Sequence, residues 1–230
     1  MHFHIVTLFP EMFDSYLSES ILARAQKEKK IKLSFYNPRK FVIGKYKKVW
    51  PDGAVSQIVD DRPYGGGPGM IIRAEPVLKA IVAAKKKAKG KTKIILLAPS
   101  GKKFTTAYAK AMRTSRYTDV IIIAGRYEGI DARVQKITKA EPLSIGDYVL
   151  TGGELPAMVV IDCIARQIPG VLGNFESLEE ERISSSEFYT RPEELVWGGK
   201  KYRVPRVLLS GDHKAIEAWK EQKIGIDDKK

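Results

Sequence analysis

An α/β fold on a parallel sheet is the class this chain predicts, and three features predict it. Residues 94–98 (Ile-Ile-Leu-Leu-Ala) and 120–124 (Val-Ile-Ile-Ile-Ala) are unbroken apolar runs. Short apolar runs bounded by turn residues suit strands covered on both faces, as strands of a parallel sheet are. Apolar residues at helical spacing alternate with these runs, which is the pattern of helices packed on such a sheet. Each run also leads into glycine: Pro99-Ser100-Gly101 after the first and Gly125-Arg126-Tyr127-Glu128-Gly129 after the second.

The elements follow in order. Residues 2–8 are short, β-branched and bounded by Pro10, and read as a strand. Met12, Phe13, Tyr16, Leu17 and Ile21 recur at helical spacing and predict a helix to about residue 29. Residues 31–36 read as a second strand, and residues 39–57 as an irregular basic stretch. Then comes Asp60-Asp61-Arg62-Pro63-Tyr64-Gly65-Gly66-Gly67-Pro68-Gly69-Met70, with four glycines and two prolines. Such a segment is neither helix nor ordinary strand, and it is costly to order, which suits a place where backbone passes close to a ligand or another chain. A helix over 74–88 precedes the first apolar strand, and Phe104, Tyr108, Ala111 and Met112 mark a helix before the second. Residues 155–165 are apolar almost all round, so this helix must be buried on more than one side, and a subunit interface would serve. Ile168-Pro169-Gly170 stops it. The polar stretch 174–187 carries Glu176, Glu179, Glu180, Glu181 and Glu187 and reads as a linker. Residues 189–230 read as a small helical unit, with Asp212 capping a helix that carries Ala215, Ile216 and Trp219.

The 230 residues suit one large domain or one domain plus a small one, and 43% hydrophobic content is enough for a core. The formal charge of +13 calls for a polyanionic partner. Nucleic acid is favoured over a membrane surface, because no long basic amphipathic helix or lipidation signal occurs. The single cysteine, Cys163, excludes an intrachain disulfide and a cysteine-based zinc site, and it reads as a small buried hydrophobe. His2, His4 and His213 lack zinc-motif spacing. No signal peptide and no bilayer-length apolar run is present, so a cytoplasmic protein is expected.

Three strand-end loops carry the chemistry: Pro99-Ser100-Gly101, residues 125–129 and residues 144–154. In open parallel sheets, ligands bind beyond the carboxyl ends of strands. None of these loops holds a G-x-G-x-x-G or G-K-[ST] motif, so a nucleotide-like ligand would be held by main-chain groups in another way.

Seven ordered motifs make the chain resemble the bacterial tRNA (guanine-N1)-methyltransferases of the TrmD type, in the SPOUT class. They are Leu8-Phe9-Pro10-Glu11-Met12-Phe13, residues 60–70, 125–131, 144–157 and 168–173, Tyr189-Thr190-Arg191-Pro192-Glu193, and Val207-Leu208-Leu209-Ser210-Gly211. The resemblance implies a SPOUT-type parallel sheet with a deep trefoil knot, plus a small α-helical C-terminal domain. The boundaries it implies are 1–172 for the methyltransferase domain, 173–187 for the linker and 188–230 for a shortened tRNA-binding domain; the family's members continue beyond the point where this chain stops. It also implies a homodimer, with tRNA as partner and no membrane, and S-adenosyl-L-methionine as cofactor. Carried over by motif, the cofactor residues are Leu96, Ala98, Pro99, Gly101, Gly125, Tyr127, Glu128, Ile145, Tyr148, Leu150, Gly152, Gly153 and Pro156. Magnesium (Mg2+) is associated with the family, but no dedicated metal-ligand spacing occurs here.

The implied reaction is methyl transfer to N1 of guanosine 37, next to the anticodon. N1 carries a proton that a base must take, and charge builds on O6, which a cation must meet. The family's arginine maps to Arg166. Its linker aspartate has no counterpart: the ungapped count from Gly173 lands on Glu181, with Glu179 and Glu180 beside it. Arg62, Pro63 and Tyr64 are expected to pocket the guanine, which must leave its stack. The alternatives are a SPOUT methyltransferase with a different RNA target and a non-catalytic RNA-binding homologue.

Overall fold

The computed structural model describes residues 1–172 and 187–222. By its internal contacts the chain divides into two units, Met1–Leu172 and Gly173–Lys230. In the first unit, β1 (His2–Val6) and β2 (Lys32–Tyr36) are followed by two small antiparallel ladders. These are β3 (Lys47–Val49) with β4 (Val55–Gln57), and β5 (Asp60–Asp61) with β6 (Ile71–Ile72). Then come β7 (Thr92–Lys103), β8 (Asp119–Ile123) and β9 (Glu141–Ser144). Five of these form a parallel sheet in the order β2-β1-β8-β7-β9. The helices are α1 (Asp14–Leu17), α2 (Ser20–Lys27), α3 (Ala74–Lys87), α4 (Thr106–Thr114), α5 (Arg133–Thr138) and α6 (Glu154–Ala165).

The apolar runs are explained by two cores, one on each face of the sheet. Every residue of β8 is buried. Val120 and Ile122 enter one core with residues of α1, α2, α4 and α6, while Ile121 and Ile123 enter the other with residues of α3 and α5. A strand with a core on each side carries apolar side chains on both faces, and only its first residue, Asp119, is polar. No helix among the described residues is long and apolar enough to cross a membrane.

Three sequence expectations change. The helix expected from Met12 to about residue 29 is broken. Pro10–Phe13 is a 3-10 turn, α1 is one turn long, and α2 restarts at Ser20, whose φ is +51°. Ser18 and Ser20 are weak helix formers that compete for backbone hydrogen bonds, which suits a break there. The irregular reading of residues 39–57 misses the β3–β4 hairpin. In the second unit, the all-helical reading of 189–230 also fails. A hairpin of β10 (Glu194–Trp197) and β11 (Lys200–Arg203) precedes α7 (Arg206–Leu209) and α8 (His213–Gln222). Gly198 and Gly199, both at positive φ, make its two-residue turn, the combination that matches strand twist. Asp212 caps α8 as expected, accepting from the backbone N–H of Lys214 and Ala215 at 3.0 and 3.2 Å.

A polar cluster lies at the opposite end of the sheet from the glycine loops. His4 Nε2 and Asp119 Oδ1 are 3.0 Å apart, His4 Nδ1 and the Tyr36 hydroxyl 3.0 Å, and His2 Nε2 and Ser34 Oγ 2.9 Å. Asp119 is buried, which alone would raise its pKa. Hydrogen bonds from His4, Thr118 and the Gly90 N–H outweigh that and hold it low. Burial, with His4 and Lys32 nearby, pushes His2 down from 6.5 to about 4. A histidine whose folded pKa is depressed adds stability above its unfolded pKa and loses it as pH falls through the folded value. Urea unfolding should therefore show stability declining between pH 6.5 and about 4. His2→Gln should flatten that decline, and an unchanged pH slope in the variant would remove His2 as its source.

Candidate active site

The middle of β7 and the carboxyl ends of β8 and β9 meet in one cavity of about 430 Å³, within the range of small-ligand sites, so residues 99–101 lie inside a strand and not, as expected, in a loop after one. Every expected cofactor residue except Gly101 lines it: Leu96, Ala98, Pro99, Gly125, Tyr127, Glu128, Ile145, Tyr148, Leu150, Gly152, Gly153 and Pro156. Each wall has a local cause. β7 pairs with β9 in two registers, Leu97 with Leu143 and then Lys102 with Leu143 again. The intervening residues 98–101 bulge out of the ladder, and Ala98, Pro99 and Ser100 face the cavity. Gly101 closes the bulge from behind, where any Cβ would run into the Leu143 backbone.

The second wall follows β8. The Gly153 N–H donates to the Gly125 carbonyl at 2.8 Å. A Cβ on Gly153 would sit 2.7 Å from the Ala124 Cα and 2.8 Å from the Gly125 nitrogen. Only glycine lets the start of α6 press so closely on the end of β8. Tyr127 is held at φ +60°, a conformation a bulky residue adopts only when its surroundings impose it.

Beneath this contact lies a buried ion pair. Glu154 is 1% exposed; its Oε2 accepts from Arg126 Nε at 2.8 Å and its Oε1 from the Thr7 hydroxyl at 2.9 Å. The Thr7 Oγ also accepts from the Phe9 N–H at 3.0 Å, and the Arg126 guanidinium lies 4.8 Å from the Phe9 ring centroid. The network thus ties the Leu8–Phe13 motif to two of the glycine loops. Sequence reasoning missed Thr7, Arg126 and Glu154 as supports of the site. The available signal was a carboxylate opening a helix that is apolar apart from it and Asp162, which demands a partner once buried. Ala132 and Gln135 also line the cavity and were missed, because α5 was not recognised.

The glycine loop runs beside this second wall. The Glu128 N–H donates to the Met70 carbonyl at 3.0 Å, and Gly69 lies so close to the Glu128 side chain that a Cβ there would overlap it. Gly65, Gly66, Gly67 and Gly69 all have positive φ. Arg62, Pro63 and Tyr64 do not line the cavity, and the Tyr64 side chain is fully exposed. Arg166 also lies outside it. It follows the last turn of α6, twelve residues past Glu154 and roughly 18 Å along the helix. Glu179, Glu180 and Glu181 lie outside the described residues.

These features define a class, a parallel-sheet protein with a cavity walled by glycine-rich loops on one side of its sheet. The sequence profile of the family described as tRNA (Guanine-1)-methyltransferase TrmD matches residues 1–227. The chain belongs to that family. It is 46% identical over 224 residues to the tRNA (guanine-N(1)-)-methyltransferase of Pseudoalteromonas atlantica (strain T6c), covering 96% of this chain and 78% of the relative. It is 44% identical over 241 residues to a protein of the same name from Saccharophagus degradans, covering 96% and 82%. A third, from Coxiella burnetii (strain CbuG_Q212), is 43% identical over 226 residues, covering 96% and 85%.

The ion pair yields an ordered prediction. Glu154 is the more deeply buried partner, so removing Arg126 strands a charge that water cannot reach. Arg126→Met should cost about 3 kcal/mol or more in urea unfolding. Glu154→Gln keeps the bond from Thr7 and leaves the guanidinium nearer to water, so it should cost less. The reverse order would mean that the arginine, not the carboxylate, depends on the pair.

Proposed function

We propose that this chain transfers the methyl group of S-adenosyl-L-methionine to N1 of guanosine 37 in tRNA. The observation that carries the reading is the cavity, built from the three loops that the sequence resemblance assigns to the cofactor, in a chain of the tRNA (Guanine-1)-methyltransferase TrmD family with a charge of +13. The residues suit the cofactor. Leu96, Ala98, Ile145, Leu150 and Pro156 offer apolar surface for a flat heterocycle. Glu128, the one carboxylate among the lining residues, offers a counter-charge to a cationic sulfonium or ammonium group. S-adenosyl-L-methionine supplies an electrophilic methyl group. For magnesium the cavity offers Glu128 alone, which would hold the ion only together with waters or substrate phosphates.

The chain's own groups then have three tasks. Glu181 takes the N1 proton, Arg166 donates to O6 as charge develops there, and the exposed loop with Arg62, Pro63 and Tyr64 takes up the unstacked guanine. Arg166 stands too far along α6 to serve the cavity of its own chain. A second copy would supply it if two subunits pack through α6, where Leu155 and Val159 are exposed, and the neighbouring Met12, Tyr16 and Ile21. We therefore read the active enzyme as a homodimer. In this reading residues 1–172 form the knotted catalytic domain, 173–187 the linker and 188–230 the tRNA-binding unit.

Methyl transfer to a transcript with guanosine at 37, mapped by mass spectrometry of nuclease fragments, tests this function. A single methyl at N1 of that nucleotide is expected, and none, or one elsewhere, would refute it. Arg166→Ala and Glu181→Gln should each lower the single-turnover rate by about a hundredfold or more, with cofactor affinity close to the parent's. Glu181→Gln should also abolish the rise of the rate with pH on the acid limb. If Gln at 179, 180 and 181 together leaves the rate within a few-fold, the linker carboxylates are not the base.

A further inference from the structure

The β3–β4 hairpin is an unpartnered projection of unusual composition. It forms a sheet of its own with two strands, a size that is marginal in water without support. Its root is fixed. The Ile58 N–H donates to the Tyr46 carbonyl at 3.0 Å, Arg73 Nη1 donates to the Ile58 carbonyl at 3.1 Å, and the Arg73 guanidinium lies 3.3 Å from the Tyr46 ring centroid. Its tip is a defined turn. The Gly53 N–H donates to the Trp50 carbonyl and the Trp50 N–H to the Ala54 carbonyl, with Gly53 at φ +82°. The Asp52 carboxylate accepts from the Ala54 N–H at 2.9 Å and is thereby turned into the turn itself.

What this rigid turn presents is apolar and basic. Val49, Trp50 and Val55 are 67%, 54% and 52% exposed. Lys45, Lys47 and Lys48 are exposed, and no carboxylate among the described residues forms an ion pair with them. The hairpin is also wired to the cavity. After β4 the chain enters β5, whose partner β6 leads on to Ile72, bonded through its N–H to the Gly129 carbonyl at 3.0 Å. Gly129 adjoins Glu128 in the cavity wall.

We propose that this hairpin is an RNA-gripping element, in which Trp50 stacks on an unpaired base of the tRNA substrate while Lys45, Lys47 and Lys48 meet the flanking phosphates. The inference rests on the tRNA reading above and adds a contact outside the cavity. An exposed indole among lysines that no described carboxylate pairs, Lys45 lying 5.2 Å from the Tyr46 ring centroid, matches the chemistry of unstacked RNA, with a π-face for a base and cations for the backbone. A protein partner of neutral surface would leave three lysines without counter-charges. A second copy of this chain would bring like charge against them.

The test uses the full chain, an unmodified tRNA transcript and two variants, Trp50→Ala and Lys45→Gln/Lys47→Gln/Lys48→Gln. Trp50→Ala should weaken tRNA binding by about tenfold, the loss falling on KM for tRNA rather than on kcat. Trp50→Tyr should recover part of it. The lysine variant should reduce the slope of log affinity against log salt by about two. Calorimetry with S-adenosyl-L-methionine should match the parent in each case, showing that the variants are folded. Parental affinity and salt slope in both variants, while the parent methylates tRNA, would overturn the hairpin's role and leave the function standing. A change in oligomeric state with parental tRNA affinity would also overturn it, in favour of a second copy. A parent that neither binds nor methylates tRNA would overturn both readings.

Discussion

The approach of Gly153 to the end of β8 is the constraint on which the rest of the site depends. It brings the start of α6 within 2.8 Å of Gly125. That distance sets where the loops 125–129 and 144–153 stand relative to each other, and hence the width of the cavity. A single methyl group at 153 would drive the loops apart. The contact is held from below by Glu154, the next residue, through Arg126 and Thr7. Geometry and electrostatics therefore act on the same few residues, and the ligand site inherits its rigidity from both.

This arrangement explains how three separate segments of the chain come to share one cavity. A bulge in β7, a tight loop after β8 and a longer loop after β9 each contribute residues to one space. Side chains add apolar surface and one carboxylate. Such a site needs no phosphate-binding fingerprint, which accords with the absence of one in the sequence. Arg166 is not among the residues that line the cavity.

Much of this was legible in the sequence. The unbroken run at 120–124 read as a strand covered on both faces, and its residues do alternate between two cores. Glycines at strand ends marked the cavity, and those at 65–67 and 69 do hold left-handed backbone. Other parts left little trace. β9 reads Glu-Pro-Leu-Ser, too short and polar to stand out from a loop. The double register of β7 depends on its neighbour and not on its own residues. Arg126 and Glu154 sat inside recognised motifs, yet their pairing across 28 positions is a property of the fold. The β3–β4 hairpin was hidden because Lys47-Lys48 opens its first strand, where periodicity looks for apolar residues. Arg62, Pro63 and Tyr64 were expected to pocket the guanine, and they stand on a loop outside the cavity wall, with Arg62 and Tyr64 exposed.

The central claim is that the three strand-end loops form a single cofactor site, and calorimetric titration of S-adenosyl-L-methionine tests it most directly when paired with a variant that fills the cavity. Leu150 lines the cavity and is 38% exposed, so Leu150→Trp can occupy that space without disturbing either core. The account predicts one binding site per chain in the parent and none measurable in Leu150→Trp, with the two proteins equally stable to urea. No heat in the parent at millimolar cofactor, or parental affinity in the variant, would contradict it.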